Sequence, residues 1–178
     1  GSNLQSSRVK IRDQRAHATP DQNGNYLLAE GSDGISQVNA LVFTNETLQL
    51  FEEYRGSEIP WAVSGDQMSV TPHKQEGRNA YYSRWGGGTN YFYSHSPGLD
   101  TVMKTANSTD VVSHETGHAL LDGLRPGFFS THDAETGAFH EAFGDCAAML
   151  MGLRDASNRD MVIEQSGGSL RNHNVISS

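Results

Sequence analysis

The sequence predicts an α+β fold: a twisted β-sheet packed on a helix that carries Ser113-His114-Glu115-Thr116-Gly117-His118, followed by a second helix with two acids on one face. Three observations predict it. Strand-like runs are short, bounded by Gly, Pro, Asn and Asp, and lie before Ser94. Apolar residues recur at helical spacing in three longer stretches. The 178 residues suffice for one domain with a real core, or one lobe of a larger molecule.

Residues 3–25 read as a polar lead-in with one alternating run, Val9-Lys10-Ile11, and turn formers at Pro20, Asp21, Asn23 and Gly24. Tyr26-Leu27-Leu28-Ala29 reads as a short strand ended by Gly31-Ser32-Asp33-Gly34. From Ser36 to Tyr54, Val38, Leu41, Val42, Leu48 and Phe51 fit a helix. Met68 to Thr71 alternates as a strand before Pro72, and Asn79–Ser83 and Tyr91–Tyr93 suggest two aromatic strands around Trp85-Gly86-Gly87-Gly88. Ser108-Thr109-Asp110 offers N-cap chemistry for the motif helix, which stops near Gly123 and Pro126. A loop with Gly127, Asp133 and Glu135 leads to a helix over Ala138–Leu153, whose apolar side is Phe139, Ala142, Phe143, Cys146, Ala147 and Leu150. Residues 154–178 read as loop-rich. The expected division is a β-rich subdomain over 1–125 that ends in the motif helix, and the start of a helical subdomain over 126–178.

Composition excludes several classes. Thirteen basic residues stand against 21 acidic ones, for a net charge of −8 and no basic run, so neither nucleic acid nor an anionic membrane surface is the expected partner. Nothing approaches the ~18 apolar residues of a membrane span. The single cysteine, Cys146, excludes an internal disulfide and a cysteine-rich metal site. Gly1-Ser2 without an initiator methionine reads as a tag scar, and Arg171 to Ser178 brings no closing element, so a fragment is expected. Oligomeric state is not legible.

His114 and His118 are four residues apart and so share one helix face. Both imidazoles can reach one metal ion, with Glu115 close by, which is the His-Glu-x-x-His arrangement of zinc hydrolases. A catalytic zinc site usually takes three protein ligands and keeps one position open. Leu121 and Leu124 stand where a further Gly and His would extend the motif, so that variant is excluded. The third ligand is open among Glu141, His132, Asp133, Glu135 and His140. Helix rigidity favours Glu141, with Asp145 one turn on placed to hold a ligand histidine.

Gly137-Ala138-Phe139-His140-Glu141-Ala142-Phe143-Gly144-Asp145 resembles the Gly-x-x-Asn-Glu-Ala-x-Ser-Asp segment of thermolysin-like metallopeptidases, the gluzincins. Asp110-Val111-Val112-Ser113-His114-Glu115 resembles the family's Asp-Val-Val-x-His-Glu, Asp122 its Asp after the second histidine, Asn79-Ala80-Tyr81-Tyr82 its Asn-Ala-Phe-Trp strand, and Ser169-Leu170-Arg171 its Ser-Leu-Arg. Together these span about residues 36–172. His140 stands for the family's Asn and Gly144 for its Ser.

The resemblance implies a gluzincin-type catalytic domain with zinc on His114, His118 and Glu141. Glu115 is then the general base and Asp145 orients the first histidine, with Asp122 also behind the ligands. His132, at the family's oxyanion tyrosine, would donate to the oxyanion. Asn79 and Ala80 would receive an extended peptide or protein substrate, and Arg171 would grip a substrate carbonyl. Val102, Val111 and Leu170 would wall a pocket for an apolar residue after the cut, with Thr105 where the family has Leu. Asp110, Asp160 and Glu164 lie near its calcium positions, but Gly152 stands where a ligand glutamate would be. The family leans towards secretion. Its catalytic histidine lies further downstream, so the competing expectation is a zinc-binding module of weak or no activity. A third, sugar binding, rests on the aromatics between Trp85 and Tyr93.

Overall fold

Chain order places β1 (Val9–Ile11), α1 (Asp33–Arg55), β2 (Met68–Thr71), β3 (Ala80–Ser83), β4 (Gly88–Tyr91), β5 (Tyr93–His95) and β6 (Val102–Lys104) ahead of α2 (Thr109–Leu124), α3 (Pro126–Ser130), α4 (Ala134–Gly152) and α5 (Ala156–Ser166). The computed structural model describes residues 4–96, 98, 101–131, 133–169 and 171. The mixed α+β class is as the sequence predicts.

Four strands form one sheet in the order β1-β2-β4-β3, and β5 and β6 make a separate antiparallel pair. β1, β2 and β4 run parallel, with Val9 opposite Met68 and Val70 opposite Thr89. β3 is antiparallel to β4, with Tyr82 opposite Thr89, and its other side is a sheet edge. Gly88 is required where β4 meets β2: at φ 151° a Cβ there would overlap the Ser69 carbonyl. One face of this sheet packs on α1 and α2 through a core that includes Val9, Met68, Val70, Tyr91 and Val112. Leu48, Ile59 and Leu120 form a smaller cluster beside it. No helix of the described residues is long and apolar enough to cross a membrane.

Several boundaries differ from expectation. α1 begins at Asp33, inside the expected turn, because an acid in the first turn suits the helix dipole and Gly34 lets Ala18 and Leu28 pack close. Tyr26–Ala29 makes no strand; Leu28 packs on the core instead. The second aromatic strand is split: Tyr91 closes β4, while Tyr93 opens β5, which pairs with β6. The expected loop after α2 contains α3, and α4 starts at Ala134, where the Asp133 carboxylate accepts from the Thr136 N–H at 2.7 Å. Part of the expected loop-rich tail is α5, capped by the Asp155 side chain and closed by Gly167 in a left-handed conformation.

The largest correction concerns which side of α4 faces inward. Of the expected apolar side, Ala147 is buried and Phe143 half-buried, but Phe139, Ala142, Cys146 and Leu150 are exposed, and His140, Gly144 and Met151 are buried instead. α4 lies along α2 so closely that only small residues fit between them: a Cβ on Gly117 would sit 2.9 Å from the Gly144 Cα. Apolar periodicity therefore pointed to the outer face. Among the expected sheet aromatics, Tyr82 and Tyr91 are buried within the sheet and Phe92 is buried between β4 and β5, while Trp85 is exposed in the β3–β4 turn.

Candidate metal centre

α2 and α4 bring three ligand-type side chains together. His114 and His118 project from one face of α2, with ring centroids 4.7 Å apart. Glu141 reaches across from α4, its Oε2 3.4 Å from His114 Nε2 and its Oε1 3.6 Å from His118 Nε2. The donor atoms of these three residues lie within 4.8 Å of one another. Such separations are long for hydrogen bonds. They match the ligand–ligand edge, about 3.4 Å, of a tetrahedron around an ion held at about 2.1 Å by nitrogen and oxygen. The residues therefore fit a metal ion. Among the described residues this is the group of His, Cys, Asp or Glu placed to share one; Asp110, Asp160 and Glu164 form no such group.

The support of His114 is directional. Its Nδ1 lies 2.9 Å from Asp145 Oδ1, which leaves Nε2 for the shared centre. Asp122 is fully buried at the far end of α2 and binds β3 rather than a ligand histidine. It accepts from Tyr82 Oη at 2.7 Å and from Arg84 Nε at 2.9 Å, with Arg84 Nη2 on its second oxygen. Arg84 Nη2 also donates to the Pro126 carbonyl, which ties the turn after β3 to the start of α3. Burial, reinforced by the Asp122 carboxylate, pushes the Tyr82 phenol far up.

Glu115 is buried beside His114, and its Oε2 has no hydrogen-bond partner among the described residues. Burial pushes its carboxyl up to about 7; the charge of Glu141 adds to this, and His114 and the Tyr82 N–H oppose it. Burial and the neighbouring His114 hold His118 down at about 4. His140 is buried with neither ring nitrogen partnered, its ring 5.7 Å from those of His118 and Phe129.

Of the other expected residues, Asn79, Ala80 and Val111 line cavities at the centre: Asn79 and Ala80 border both of two cavities, and Val111 one of them. Arg171 is exposed, and its N–H donates to Ser169 Oγ at 3.4 Å. Val102 is exposed on β6. His132 and Leu170 lie outside the described residues. Sequence reasoning missed Arg84, Phe128 and Phe129. The adjacent pair Phe128-Phe129, in a stretch that read as loop, was the available signal.

No family model matches the chain, and no curated protein matches it. Among solved structures it is similar to the precursor of protealysin, a metalloproteinase from Serratia proteamaculans. The TM-score is 0.52 at 13% identity, covering 86% of this chain and 47% of that one. The chain thus spans about half the length of that protein. What the likeness shows is the fold.

Proposed function

We propose that the chain carries the catalytic centre of a zinc-dependent endopeptidase of thermolysin type. His114, His118 and Glu141 hold the ion, and a set of two imidazoles and one carboxylate suits zinc. Zinc supplies a Lewis acid that brings the pKa of a bound water to about 7 and polarises a carbonyl.

The observation that carries the reading is Glu115. A carboxylate buried with one oxygen unpartnered is expensive unless it has work at that place. It lies next to His114 on α2, outside the ligand group, in the cavity that His114, His118 and Glu141 line, where a carboxylate can act as a base. Glu115 takes the proton of the attacking water and returns it to the leaving nitrogen. Asp145 holds His114 with Nε2 towards the centre. The open edge of β3, beginning at Asn79 and Ala80, receives the extended substrate as an added strand.

The competing reading is a metal-binding module without turnover, and it gives the buried Glu115 oxygen no role. Glu115→Gln separates the two. It keeps the bound metal and lowers peptide cleavage by about 10²–10⁴-fold. Cleavage unchanged by Glu115→Gln rules out this mechanism, and no cleavage by the full-length protein of any peptide favours the module.

A further inference from the structure

Two cavities meet at His114 and Glu115 and share Asn79 and Ala80 as one wall. They flank the centre along α2. The cavity on the Val111 side, about 440 Å³, has no Phe, Tyr or Trp among its described lining; Thr105, Val111 and Ala148 border it together with the charged Arg78, Asp110 and Asp145. The cavity on the His118 side, about 560 Å³, is walled by Tyr81, Tyr82, Phe128 and Phe129.

The aromatic wall has a fixed part and an open part. Phe129 is held edge-on to Tyr82 at 5.5 Å, tilted on Trp85 at 5.7 Å, and under the Arg84 guanidinium at 5.2 Å. Arg84 is itself anchored on buried Asp122, so this ring has little freedom. Phe128, the next residue, is 40% exposed, with Phe139 braced edge-to-face behind it at 5.8 Å. An exposed phenyl ring beside fixed rings presents the faces and edges that a further ring packs against.

We infer that the His118-side cavity is an aromatic-selective subsite. It takes the Phe- or Tyr-type side chain of the substrate residue on that side of the scissile bond. This deepens the peptidase reading and rests on it for the identity of the substrate. Phe128 is the specificity-determining residue: its ring supplies the surface that an incoming ring covers.

The test uses peptides carrying Phe, Leu or Ala in turn on each side of one peptide bond. Calorimetry reads their binding to the zinc-loaded Glu115→Gln protein, and the wild type is assayed for cleavage. Phe is preferred over Ala by about tenfold or more on one side of the bond only. Phe128→Ala in the same background lowers that ratio by about two- to tenfold. Phe128→Leu, which keeps an apolar side chain there, removes the advantage of Phe over Leu. Equal binding of Phe and Ala peptides on both sides overturns the inference, as does a ratio unchanged in Phe128→Ala. Aromatic-selective binding without cleavage by the wild type removes the peptidase reading and leaves the subsite. Cleavage without aromatic selectivity does the reverse.

Discussion

The imidazole of His114 rests against the backbone of Gly144, where a Cβ would lie 2.9 Å from both its Cε1 and its Nε2. The same ring is held from the other nitrogen by Asp145. α4 therefore sets the position of a ligand on α2 in two ways: by a carboxylate that aligns it and by a missing side chain that makes room for it.

Gly144→Ala displaces that ring from the shared centre. Metal affinity falls by about 10–100-fold, the usual effect of disturbing a ligand's support. Competition with a chelating dye measures it, and an unchanged affinity shows that the ring tolerates the shift.

Gly117 faces Gly144 across the helix pair, and a Cβ on it would also meet Ala147 Cβ at 3.0 Å. Gly117→Ala forces α2 and α4 apart and destabilises the fold by about 1–3 kcal/mol. The midpoint of urea unfolding reports this directly.

Asp122 is buried with Arg84 as its cation. Arg84→Met strands that carboxylate with Tyr82 as its remaining side-chain donor and costs about 2–3 kcal/mol. Arg84→Met, Asp122→Asn and the double variant form a cycle. Non-additivity on the order of 1 kcal/mol or more identifies the pair, and strict additivity contradicts it.

Away from the centre, Asp13 accepts from the buried His73 ring at 2.7 Å and from Gln37 at 2.8 Å. Burial raises the Asp13 pKa, but the hydrogen bonds from His73, Gln37 and the Arg15 N–H outweigh it and hold the carboxyl at about 2. The folded value lies below the unfolded one, so the stabilisation is complete above about pH 4 and is lost as pH falls through about 2. It is on the order of 1–2 kcal/mol. Asp13→Asn flattens the loss of stability over that window in denaturant titrations at stepped pH; an unchanged profile assigns the acid sensitivity elsewhere.

The centre was legible because its signal is local. His114, Glu115 and His118 lie within five residues of one helix, and helical geometry alone places both rings on one side. Spacing on α4 left the third residue open; the family resemblance singled out Glu141 with Asp145, and α4 does bring Glu141 to His114 and His118. What could not be read was the rotation of α4. Of the expected stripe, Ala147 is buried and Phe143 packs on the smaller cluster, but Phe139, Ala142, Cys146 and Leu150 are exposed, and His140, Gly144 and Met151 complete the buried side. Close helix contact selects small residues over apolar ones, and hydrophobic periodicity does not register that preference. α5 was missed because few of its residues are buried and its start depends on the Asp155 cap. The Phe128-Phe129 pair was visible in the sequence, but its place in the cavity wall depends on contacts of α3 with Tyr82 and Arg84, at least 42 residues away, which spacing does not encode.

Convergence of His114, His118 and Glu141 on one divalent ion is most directly tested by zinc stoichiometry with anomalous scattering at the zinc edge. One ion per chain, lying between the two Nε2 atoms and the Glu141 carboxylate and lost in His114→Ala, is the predicted result. A folded protein that stays empty at saturating zinc, or that places its ion elsewhere, contradicts it.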